Sequence, residues 1–142
     1  MTKEEKLERL ATANKVIEII AGHGRKFFST YTEGRSSKLD PERVSHFSIQ
    51  NGKIWFIDKY SQKAIYVAYR RGRWRHFSEG GTLRDLVLAL YDWIRGDPEG
   101  FQFHRFGPWP SWVCGDGDLW GYGLEEMAIV REKVKQLIEE KR

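Results

Sequence analysis

The chain has 142 residues, with 24 Lys and Arg set against 20 Asp and Glu, one cysteine and a formal net charge of +4. That length predicts a single domain over residues 1–142, burying roughly 68 to 70% of its unfolded surface, and one thiol excludes an intrachain disulfide. The first twenty residues mix Lys3, Glu4, Glu5, Lys6, Glu8 and Arg9 with apolar positions, unlike a secretory signal, and no stretch approaches the ~20 apolar residues of a membrane span, so a cytoplasmic protein with no membrane partner is expected.

Residues 3 to 21 place Leu7, Leu10, Ala13, Ile17 and Ile20 three or four apart, which predicts an amphipathic helix. Thr2 and Glu5 have capping-box spacing, and Gly22 and Gly24 are natural stops. Residues 25 to 32 are rich in aromatic and β-branched side chains and predict a strand, followed by a polar loop from Glu33 to Pro41.

From Arg43 to Gln50 the pattern alternates, with Phe47 and Ile49 on one face and His46 and Ser48 on the other. Asn51-Gly52 follows, the dipeptide best suited to a type I′ hairpin turn because both central residues need positive φ. Lys53 to Lys59 carries Trp55, Phe56 and Ile57 in succession, predicting a central strand with apolar groups on both faces. Ser61-Gln62 turns the chain into Lys63 to Tyr69, with Ile65, Val67 and Tyr69 on one face, and Gly72 permits a further turn into a strand from Arg73 to Phe77. The expectation is an antiparallel meander of four strands, or five with residues 25 to 32.

Gly80-Gly81-Thr82 opens a second helix, with Thr82 as its cap, Asp85 in the third helical position, a core-facing stripe of Leu83, Leu86, Val87, Leu90 and Ile94, and Gly96 as its stop. It is expected to pack across the sheet. A third helix, Leu124 to Lys141, carries Met127, Val130, Val134, Leu137 and Ile138 on one side, with Glu125 and Glu126 early and Lys141 late, as the helix dipole favours. Its apolar stripe can also pair with a second copy in a homodimer. Between the two lies an aromatic-rich connection, residues 97 to 123, of a length that in compact domains is usually functional or self-packed. The fold class is therefore α+β.

The most chemically distinctive stretch is the basic strand. Lys63, Arg70, Arg71, Arg73 and Arg75 fall within residues 63 to 76 with no acid among them, and Tyr69 stands beside the arginines as a stacking ring. Against this, Trp74 can be core and the arginines a solvated face. The aromatic connection supplies an alternative partner surface in Phe106, Trp109, Trp112 and Trp120, because Trp and Tyr concentrate binding energy, yet such a segment can equally wrap over the sheet.

Metal and cofactor chemistry find no support. His23, His46, His76, His104 and Cys114 form no close ligand pair, and the calcium-loop pattern at Asp116-Gly117-Asp118 puts Trp120 and Met127 where oxygen donors belong. GxGxxG, GxxxxGK[ST] and GxSxG are absent from the chain. A small enzyme would need a site around His104 and Cys114 assembled by the fold.

The string Ile57-Asp58-Lys59-Tyr60-Ser61 through Arg73-Trp74-Arg75, then Gly80-Gly81-Thr82-Leu83-Arg84 and Trp120-Gly121-Tyr122-Gly123, resembles small uncharacterised proteins encoded by bacteriophages and prophages. The resemblance covers residues 53 to 123 and implies an accessory protein, a group in which interference with host nucleoprotein machinery, including anti-CRISPR inhibition, is frequent. Composition and resemblance together lead to a non-enzymatic module that binds nucleic acid, a nucleoprotein complex or a host protein, with no cofactor.

Overall fold

In a computed structural model, which describes residues 1–22, 41–67, 74–77, 81–97 and 124–139, the chain begins with the expected cap. Thr2 is extended (φ −77°, ψ 164°) and its hydroxyl accepts the Glu5 amide at 3.1 Å, opening helix α1 over Lys3–Ala21. Gly22 ends it in a right-handed conformation (φ −80°), its amide donating to the Glu18 carbonyl at 2.9 Å. The buried face differs from the predicted stripe at both ends. Leu7 is 46% exposed, while Thr12, Val16 and Ala21 join Ala13, Ile17 and Ile20 in the interior. The reason is that α1 lies against three elements, and its C-terminal half is enclosed over a wider arc than a one-sided helix needs.

After a single 3-10 turn at Pro41–Arg43, three strands follow: β1 at His46–Gln50, β2 at Lys53–Asp58 and β3 at Lys63–Tyr66. They form an antiparallel meander in the order β1-β2-β3. The first hairpin closes as the dipeptide demands, with Asn51 at φ 53°, Gly52 at φ 76° and Gln50 opposite Lys53. The second turn is longer than a two-residue Ser61-Gln62 turn, because Asp58 captures it. Its Oδ1 accepts the amides of Tyr60 at 3.0 Å and Ser61 at 3.3 Å, Gln62 takes φ 58°, and the last paired residues are Asp58 and Lys63. This four-residue loop, Lys59 to Gln62, places Tyr66 opposite Trp55.

The fourth strand is not formed. Residues 74–77 make a tight turn in which the Phe77 amide donates to the Trp74 carbonyl at 3.1 Å and His76 has φ 69°. Trp74 and Phe77 both pack into the core, and residues three apart reach the same side only if the chain turns, since a strand would send them to opposite faces. The strand expected over residues 25 to 32 lies outside the described residues, so the sheet described has three strands instead of four or five.

Helix α2 spans Gly81–Arg95 and helix α3 spans Leu124–Glu139. Thr82 already lies within α2, so it is not the cap. Gly96 ends α2 at φ 76°, its amide donating to Trp93 and that of Asp97 to Asp92, both at 3.0 Å, the paired bonds of a Schellman motif. Leu86, Val87, Leu90 and Ile94 are fully buried, as the stripe predicts. Helix α1 meets β1 directly and also packs against α2 and α3, while the buried stripe of α2 joins the same core as the inner sheet residues. On α3, Val130 and Val134 are buried within the chain, so that part of its stripe is closed to a second copy. Lys141 lies beyond the described end of the helix.

The core forms between the inner sheet face and these helices. Phe47, Phe56 and Ile65, one from each strand and directly paired, supply a buried row. A chain of edge-to-face rings then runs from Phe47 to Phe56 (5.5 Å), Phe77 (5.7 Å) and Trp74 (5.1 Å), and the Arg84 guanidinium lies 5.9 Å from the Trp74 ring. Asn14 of α1 joins helix to sheet: its side-chain amide donates to the Phe47 carbonyl at 3.1 Å and accepts the Phe47 amide at 2.7 Å. Among the described residues, no helix is long and apolar enough to cross a membrane.

Candidate nucleic-acid interface

Of the residues expected to form the basic strand, Lys63 and Arg75 fall within the described residues. Both are exposed, and neither makes an ion pair among the described residues. They stand on different elements, Lys63 at the start of β3 and Arg75 in the Trp74 to Phe77 turn. Trp74 is only 7% exposed, so its place is core and its neighbour Arg75 is the outward residue. Tyr69, Arg70, Arg71 and Arg73 lie outside the described residues, as do Phe106, Trp109, Trp112 and Trp120 of the aromatic surface and His104 and Cys114 of the enzymatic alternative.

The residues around Lys63 are almost free of competing negative charge. Between residues 44 and 67 the cations are Lys53, Lys59 and Lys63, and the lone acid is Asp58. Asp58 is fully buried and its carboxylate is engaged by the turn amides described above. The Ser45 hydroxyl holds the same loop by accepting the Lys59 amide at 3.0 Å. This segment therefore shows cationic side chains to solvent while its single carboxylate is turned inward.

Three residues that sequence reasoning did not assign to a site come together on the outer sheet face. Trp55 and Tyr66 are cross-strand partners with ring centroids 5.1 Å apart, and the Lys53 ammonium sits 5.6 Å from the centroid of the Tyr66 ring. Ser48 completes the row on β1, opposite Trp55, and the Gln50 amide donates to its hydroxyl at 3.5 Å. Tyr66 is 41% exposed and Trp55 partly so. Their adjacency was readable from loop lengths. Asn51-Gly52 sets Trp55 against Ser48, and the loop from residue 59 to 62 sets it against Tyr66; a two-residue turn at Ser61-Gln62 would instead pair it with position 68. The missed signal was an aspartate at the strand end, able to bind the next amides and lengthen the turn.

Among the described residues, no three His, Cys, Asp or Glu side chains gather where they could hold a metal. What is present is an α+β domain with an open antiparallel sheet whose outer face is aromatic and basic. A family model described as YoqU matches residues 3–139, and the chain belongs to that family. No curated protein and no solved structure matches it.

Proposed function

We propose that the protein is a non-enzymatic module that binds nucleic acid, bare or within a host nucleoprotein complex, as a phage-type accessory protein acting in the cytoplasm. The observation that carries this reading is the segregation of charge over the sheet segment, where Lys53, Lys59 and Lys63 are accompanied by one carboxylate, Asp58, that is buried and already hydrogen-bonded. The exposed Arg75 adds a cation nearby in sequence. Such a surface suits a polyanion whose phosphates need only charge and proximity. The family name, of phage or prophage type, agrees with the sequence resemblance, and inhibition of a host defence complex such as an anti-CRISPR activity is one role such binding would serve.

Gel-shift titrations with labelled DNA and RNA at several salt concentrations test it. Affinity should fall steeply as salt rises, and Lys63→Glu and Arg75→Glu should each flatten the log–log salt slope by about 0.7 to 0.9 for every phosphate left without its cation. No retention of DNA or RNA at low salt would remove the proposal.

A further inference from the structure

We infer that the outer face of the sheet is a stacking platform for the unpaired bases of a single-stranded nucleic acid, seated on Trp55 and Tyr66. The inference deepens the nucleic-acid reading above and rests on it. Flat aromatic side chains on the exposed face of a half-buried antiparallel sheet are unusual in one respect: they forgo burial that their size would otherwise reward. Here Tyr66 is 41% exposed although its neighbour Ile65, facing the other way, is 5% exposed. The pair is held at a 5.1 Å centroid separation by the register of β2 and β3, so the two rings are set before any ligand arrives.

The chemistry around the rings selects the occupant. Lys53 lies beside the Tyr66 ring and can pair with a phosphate next to a stacked base, while Ser48 and Gln50 in the adjoining strand offer hydroxyl and amide groups to base edges. No acidic residue occurs on the outward positions of the three strands, which are His46, Ser48, Gln50, Lys53, Trp55, Ile57, Ala64 and Tyr66, so the face repels no anion. A duplex keeps its bases stacked on each other and offers backbone and groove edges but no base faces; a single strand can turn its bases onto the rings. The occupant is therefore an unpaired strand, read by stacking and charge without demand for one sequence.

Fluorescence anisotropy of the full chain with three end-labelled probes tests this: a 15-nucleotide oligo-dT, a 15-nucleotide oligo-rU and a 15-base-pair duplex, lengths of the order of one single-strand binding site. Single strands should bind at least tenfold more tightly than the duplex. Tyr66→Thr, which keeps a strand-forming residue, should weaken single-strand binding roughly tenfold or more, and Tyr66→Phe should restore it. Trp55→Leu gives a second variant should the first not fold, as judged by circular dichroism. A preference for oligo-rU assigns an RNA strand, a preference for oligo-dT a DNA strand, and equal affinity a ligand recognised without its 2′-hydroxyl; each supports the platform. Equal binding of duplex and single strand, or wild-type affinity in folded Tyr66→Thr, overturns the platform while the nucleic-acid reading stands. No binding of any probe overturns both.

Discussion

The two faces of the sheet use the same kinds of residue to opposite ends. On the inner face Phe47, Phe56 and Ile65 form a row that is buried in the core, and the aromatic chain continues through Phe77 to Trp74. On the outer face the neighbouring row of Ser48, Trp55 and Tyr66 is equally well paired across the strands, yet Tyr66 meets solvent and the Lys53 ammonium sits against its ring. Ring pairing by itself thus says little about a residue's role. What separates the rows is how deeply they are buried and which charges flank them.

That contrast can be broken most forcefully from the inside. Phe56→Ala removes the ring joining Phe47 to Phe77 and should cost about 3 to 5 kcal/mol, measured by urea denaturation. A loss below about 1 kcal/mol would mean that the inner row is not the centre of the core. Asn14→Ala should cost about 1 to 3 kcal/mol in the same assay, because it strips the Phe47 amide and carbonyl of their partners at 2.7 and 3.1 Å. Gly52→Ala should cost about 1 to 2 kcal/mol, entirely through its φ of 76°, because the space around an added Cβ is open. Tyr66→Thr should have the smallest effect on stability, about 0.5 to 1.5 kcal/mol for the ring pair it removes from Trp55. A much larger loss at Tyr66 would erase the distinction between the faces and make the outer row structural.

Much of the architecture was legible because its signals are local. The Thr2 cap, the Asn51-Gly52 turn, the Gly96 stop and the fully buried stripe of Leu86, Val87, Leu90 and Ile94 each depend on a few adjacent residues, and each formed as expected. The differences arise where tertiary demands override the pattern. Trp74 and Phe77 look like positions in an alternating strand, but both are needed in the core and the chain turns to place them there. Val16 and Thr12 are buried because α1 is surrounded on several sides, which a one-faced helical wheel cannot show.

The site was harder to read than the fold. The densest run of arginines is the loudest signal in the sequence, and of it Arg75 alone is described, on a turn anchored in the core. The Trp55 and Tyr66 pair is separated by ten intervening residues and becomes visible only once the register between β2 and β3 is known. That register hangs on Asp58, whose carboxylate binds two amides of the loop and so determines which rings face each other.

The Asn14 side chain has a consequence beyond joining helix to sheet. By occupying both polar groups of Phe47 on the side of β1 away from β2, it takes one residue's backbone partners from any chain that would dock there as an added strand. An added strand along β1 would therefore have to form without one donor and one acceptor of that border, both held by a single amide.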